Sequence, residues 1–412
     1  MKNHEGFALV VAIFFVVVFA ILGIVVVSLI SGENILALRD YNSVRAFHLA
    51  EAGLRYTVAA SLAADSDWSD NTGFSKTLSP GYFTVTYLSK AKKRCTLQCT
   101  GVVGGISRTL TVLLKKSGLP DAFDYAVCTF NYASETLYIQ NTSAIYGDFY
   151  YDGTVIMQNS SQLLNGTMFS DSLTLQHSAS CASWEPITPV EPIVFTSTYY
   201  DNLLAETTKS ATSALDINSG TMNLSGGTYY YTSITIRGDA QVNGPGTLVA
   251  TTGDFILQNS AIIGDNVNLI VKGQSYFQNS ASVGANLNLT SQGSVHVENS
   301  QTVPAESVFF SYGDITFDNT AYFWGSVMAP SGEISSVNST TFNGLLYGDT
   351  LNLQNSTHLN GSAAVGSIGY FKNSTVVTYD PSKFPSSIPQ GFEGAGESTT
   401  EGLSFMDWTE SF

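Results

Sequence analysis

From about residue 119 onward the chain repeats a short phrase at nearly fixed intervals, and that period restricts the possible folds more than any other feature. Gln140-Asn141, Gln158-Asn159 and Gln176-His177 stand 18 residues apart. Gln258-Asn259-Ser260, Gln278-Asn279-Ser280, Glu298-Asn299-Ser300 and Asp318-Asn319-Thr320 stand 20 apart, and Val337-Asn338-Ser339 and Gln354-Asn355-Ser356 follow at 19 and 17. A short alternating segment precedes each phrase, as in Phe255-Ile256-Leu257 and Val295-His296-Val297. A unit of this length holding several strands is too short for ankyrin, tetratricopeptide or propeller repeats. It predicts a right-handed parallel β-helix over 119–370, a β-solenoid of about eleven coils, each stacked on the last at about 4.8 Å. Asn tolerates left-handed backbone angles, and stacked Asn amides bond along a stack. The corner positions Asn141, Asn159, Asn259, Asn279, Asn299, Asn319, Asn338 and Asn355 are therefore expected to form one ladder.

Two stretches break the repeat. Residues 184–216 open on a proline-rich segment, EPITPVEPIV, and read as an insertion that crosses the rod and then forms a short helix. Residues 371–412 form a Gly-, Ser- and Glu-rich tail whose last ten residues carry Phe405, Trp408 and Phe412, a composition suited to docking back onto the body.

The other informative segment is the amino terminus. No charged residue occurs between Glu5 and Glu33, and an uncharged run from Gly6 to Gly32 is long enough to cross a bilayer as a helix. Beyond it, Ile35, Leu38, Tyr41, Val44 and Phe47, then Ala50, Leu54, Val58 and Leu62, continue a helical period. Three alternating segments follow, Gly81–Tyr87, Arg94–Thr100 and Ser107–Leu114, and predict a small antiparallel sheet. The expected organisation is a leader over 1–6, a transmembrane and stalk helix over 7–65, a β module over 66–118, then the solenoid and tail.

The leader ending in Gly6, the aromatic Phe7 and the unbroken apolar helix resemble the type IV pilin superfamily. The stretches GFALVVAIFFVVVFAILG and AFHLAEAGLRYTV are similar to minor pilins of the PilX kind and to K-type pseudopilins, over about the first 115 residues. The resemblance implies cleavage between Gly6 and Phe7 by a prepilin peptidase, methylation of the Phe7 amine, and assembly with other pilins or minor pilins through the helix. It also implies residence in the inner membrane before incorporation into an extracellular filament. Major pilins carry Glu at the fifth mature position; here that position is Val11, a departure that the resemblance associates with a filament tip.

Composition narrows the chemistry. The chain has 33 acidic and 17 basic residues, a net charge of −16, which speaks against a nucleic-acid partner. Between Leu119 and Tyr370 the basic residues are Lys209, Arg237 and Lys272, while many acids occur as isolated Gly-Asp pairs such as Asp148, Asp254, Asp265 and Asp314. Gly-Asp is turn chemistry, so neither a catalytic residue, a metal site nor a cofactor is expected. In an exported chain the cysteines read as oxidised, with Cys128 and Cys181 the candidate pair, although spacing leaves connectivity open. Tyr146, Phe149, Tyr150, Tyr151, Tyr229, Tyr230, Tyr231, Tyr312, Tyr322, Phe323 and Trp324 are candidates for an aromatic face that meets surface glycans or a host or cell surface. The expected function is a structural or adhesive pilin-like subunit. The alternatives are an anchored carbohydrate-active enzyme on a β-helix, and the pseudopilus tip component of a secretion system.

Overall fold

The computed structural model describes the backbone of residues 5–64, 73–90, 94–117, 119–130, 136–187, 190, 193–299, 301–392 and 402–411. Side chains are described for these residues except 5–10, 60–64, 89–90, 94–95, 113–117 and 402–411. The chain forms two compact units, one of Met1–Ser117 with Glu401–Phe412 and one of Gly118–Thr400.

The first unit is built on helix α1 (Glu5–Ala64), about 90 Å long at 1.5 Å per residue. Its described apolar side chains from Ile13 to Val44 are exposed apart from the half-buried Val18, whereas Ala46, Ala50, Leu54 and Val58 are buried. The buried stripe lies on an antiparallel sheet of β1 (Phe74–Leu78), β2 (Gly81–Lys90), β3 (Arg94–Val103) and β4 (Ile106–Ser117). Phe83, Val85, Leu97, Cys99, Leu110 and Val112 supply the other half of this core. Small residues set the approach: a Cβ added at Gly53 would lie 2.5 Å from the Cys99 sulfur and from the Phe83 ring. A fifth strand, Gly402–Ser411, pairs antiparallel with β4 in the register Gly402 opposite Ser117.

The second unit is a parallel β-solenoid of about 13 turns, more than the eleven expected. Each turn has three faces. Phe255–Leu257, Ile262–Ile263 and Val267–Val271 form one such turn, and each pairs in parallel with its counterpart 21 residues earlier. Alternation puts Phe255, Leu257, Ile263 and Leu269 inside, in a column that continues through Phe277, Phe309, Phe317, Phe323 and Phe342. Ring contacts such as Phe317–Phe342, with centroids at 4.7 Å, run along the axis.

The order of the turns differs from the order of the sequence. Turns from Leu215 to Tyr379 follow one another along the chain. The turns between Val127 and Glu185 stack beyond Tyr379: Ala363–Val365 pair with Val127–Thr129, and Val376–Thr378 pair with Ala144–Tyr146. The chain at Glu185 is therefore at one end of the stack, and Leu215 is at the other. Residues 186–214 are not an insertion in a coil but the return path along the whole stack, and the solenoid extends to Tyr379 rather than 370. The tail is likewise divided, with 380–392 lying along the solenoid and Gly402–Ser411 joining the sheet of the first unit.

Candidate functional site

The Asn corner runs as a continuous column through both groups of turns. Side-chain amides link Asn259, Asn279, Asn299, Asn319, Asn338 and Asn355 in succession at 3.1–3.4 Å. Asn355 then accepts from Asn373 at 2.9 Å, Asn373 from Asn141 at 2.8 Å, and Asn141 from Asn159 at 3.0 Å. Asn373 is the member that the repeat phrase missed: Lys372-Asn373-Ser374 lacks the preceding Gln. At most of these corners two consecutive residues are left-handed, for example Asn141 (φ 55°) with Thr142 (φ 59°) and Asn373 (φ 58°) with Ser374 (φ 64°). At Asn338 the left-handed residue is Ser339 instead. His177 takes the corner position of the next turn, with φ 48°. His296, in the strand Val295–Val297 that precedes the Asn299 corner, stacks its ring on Tyr276 with centroids at 5.1 Å.

The Gly-Asp pairs are occupied by the fold. Asp148, Asp254, Asp265 and Asp314 each accept a hydrogen bond from a backbone N–H of the adjoining turn, at Thr167, Gln274, Ala285 and Glu333 respectively, at 2.8–2.9 Å. Among the described residues, no group of three or more His, Cys, Asp or Glu is placed to hold a metal ion.

Cys128 and Cys181 are not bonded to each other; both are free thiols. The cause is the wall between them. Cys128 points outward into an apolar cluster with Tyr150, Tyr347 and Ala364, while Cys181 packs against the interior column. Burial raises the pKa of both, with Asp121 and Asp124 adding to the effect at Cys128 and hydrogen bonds from Ser183 and Met168 opposing it at Cys181.

Of the candidate aromatic residues, Tyr322 is exposed, and Tyr146, Tyr230 and Trp324 are half-buried. Phe149 and Tyr151 point inward, and Tyr150 is covered. What covers it is a pair of straps on the third face. The return path contributes Ile187, Val190, Ile193 and Phe195 and then helix α2 (Thr198–Leu204), and residues 384–392 contribute Phe384, Ile388 and Phe392. Tyr200 stacks flat on Phe310 with centroids at 3.7 Å, and its hydroxyl donates to the Gln390 carbonyl at 3.2 Å. Burial pushes the Tyr200 phenol well above its usual pKa. Glu306, with φ 62°, accepts from the Ser386 N–H and hydroxyl at about 3.1 Å and pins the second strap.

Between the straps the third face is uncovered, leaving a groove of about 490 Å³. Its floor is Thr247, Asn268, Asn288, Val308 and Ser326 in successive turns, and Tyr199 and Pro385 line it as well. Asn288 donates to Asn268 at 3.1 Å and Asn268 to Thr247 at 3.5 Å. The Ser326 hydroxyl is buried and has no hydrogen-bond partner in the protein. Strand alternation alone could not have revealed this groove, because its walls come from segments distant in sequence.

Of the residues expected to be processed, Gly6 and Phe7 lie in the first turns of α1 with side chains outside the described set, and residues 1–4 are also outside it. Val11 is half-buried on the same helix.

Residues 194–383 match a family model described as a domain of unknown function (DUF7305). No curated protein matches the chain. Among solved structures, the competence-associated pilin ComZ from Thermus thermophilus aligns at 12% identity and a TM-score of 0.33, over 90% of this chain and 97% of that one.

Proposed function

We propose that this chain is a pilin-like subunit that enters a type IV pilus or related filament through α1 and presents the solenoid outside the cell, at the filament tip, in a structural and adhesive role without catalysis. One observation carries the reading. A single helix leaves about thirty residues of apolar surface bare and then buries its continuation on an antiparallel sheet. Bare apolar surface of that extent needs lipid or other helices around it, and a continuous helix can pass from one to the other. The capture of the Gly-Asp carboxylates by backbone N–H groups supports the non-catalytic part. The tip position rests on Val11, which offers no carboxylate to a neighbouring subunit's amine.

Mass spectrometry of the amino terminus, on protein from its native cells, tests the proposal. A chain starting at a methylated Phe7 is the expected outcome. A chain starting at Met1, or cut beyond residue 25, would overturn it.

A further inference from the structure

We propose that the groove between the straps binds a neutral oligosaccharide, laid along the solenoid axis over the turns of Thr247, Asn268, Asn288 and Ser326. This gives the adhesive reading its ligand class and rests on that reading for its biological meaning, although the binding itself does not.

The chemistry of the lining carries the inference. The polar groups on the floor are amides and hydroxyls. Asn268 spends one N–H and one lone pair on its neighbours and Asn288 spends one N–H, and both keep others for a ligand. Among the described residues no Lys or Arg lines the groove, so an anionic polymer would go unneutralised. The carboxylate present, Glu306, is engaged by Ser386. Tyr199, 46% exposed at the rim, offers a ring face to the C–H side of a pyranose, and Leu203 and Ile388 extend that apolar wall.

The geometry favours a linear polymer. Thr247, Asn268 and Asn288 recur once per turn, about 4.8 Å apart along the axis, so one hydroxyl pattern can be read over three successive turns. A peptide is the less favoured occupant, because the floor strands are already paired with the turns on both sides and offer no free edge for strand addition.

The test uses the full-length chain in detergent micelles, titrated calorimetrically with cellohexaose, chitohexaose, hexagalacturonate and a Ser/Asn-rich hexapeptide. Binding is expected for at least one of the two neutral hexasaccharides. Tyr199→Ala and Asn268→Ala should each weaken it about five- to tenfold, the loss of one contact or hydrogen bond. Thr316→Ala, on another face, should leave it unchanged. Absence of binding by both neutral sugars would overturn the proposal. So would binding indifferent to Tyr199→Ala and Asn268→Ala, or tighter binding of the hexagalacturonate or the peptide. None of these outcomes depends on the amino-terminal processing that tests filament entry.

Discussion

The solenoid contains two stretches built from the same corner chemistry but held in different ways. Turns between 215 and 379 are laid down in chain order, so each contacts a neighbour about 20 residues away. Turns between 127 and 185 dock on the last of them through partners some 230 residues distant, such as Asn141 on Asn373. A stack recognises the shape of a turn and not its place in the sequence, so both stretches share one ladder and one interior. The cost differs, because the docked stretch must close a long loop before its contacts form. Its closing segment, the return path 186–214, is also the one that covers the third face.

The largest expected effect tests whether docking is a separate cooperative step. Phe149 is fully buried in the docked stretch and packs edge-on against Phe371 across the junction, with centroids at 6.1 Å. Phe149→Ala should cost about 3–5 kcal/mol. Hydrogen exchange should show amides of 127–185 losing protection while 255–329 keep theirs. Phe309→Ala, of similar cost, should instead lower protection throughout 215–379. If both variants relax the same amides equally, the two stretches are one cooperative unit.

A smaller effect is expected at the junction corner. Asn373 combines φ 58° with amide bonds to both Asn355 and Asn141. Asn373→Ala should cost about 2–3 kcal/mol, from the left-handed backbone and the lost bonds, whereas Asn373→Gly keeps the backbone and should cost about 1 kcal/mol. Urea midpoints of the two variants, followed by limited proteolysis of the docked stretch, measure the difference. Equal midpoints would mean that backbone geometry contributes nothing at the seam.

The sequence made part of this visible, for physical reasons that can be named. Asn at a left-handed corner is a local requirement, so Asn259 to Asn355 could be found by period alone. The helix and β2 to β4 were legible because α1 and those strands write their own periodicities. The stacking order was not legible, since parallel pairing between Val376 and Ala144 leaves the same pattern in each strand as pairing with any other turn. The thiols misled for a related reason: Cys128 and Cys181 occur two turns apart, and strand alternation sends one outward and one inward. The groove was hidden by the stacking order, because the return path builds one wall and the segment after Tyr379 the other.

The smallest effect separates the two stretches by pH. Cys128 and Cys181 belong to the docked stretch, and residues 215–379 contain no cysteine. Burial raises both thiols above the ordinary value of 9.0, so the folded state holds protons that the unfolded chain gives up. Stability from this source is complete below about pH 9 and declines as pH rises above it, by at most about 1.4 kcal/mol per pH unit for each thiol. Tyr347, in the other stretch, is also raised by burial, to about 12, but its unfolded phenol ionises only near pH 10. Between pH 9 and 10 the docked stretch alone should weaken, seen as earlier proteolytic cutting of 127–185 in urea, and Cys128→Ala with Cys181→Ala should abolish the trend. A parallel loss in 215–379 over the same interval would show instead that the seam transmits the destabilisation and that the two stretches open together.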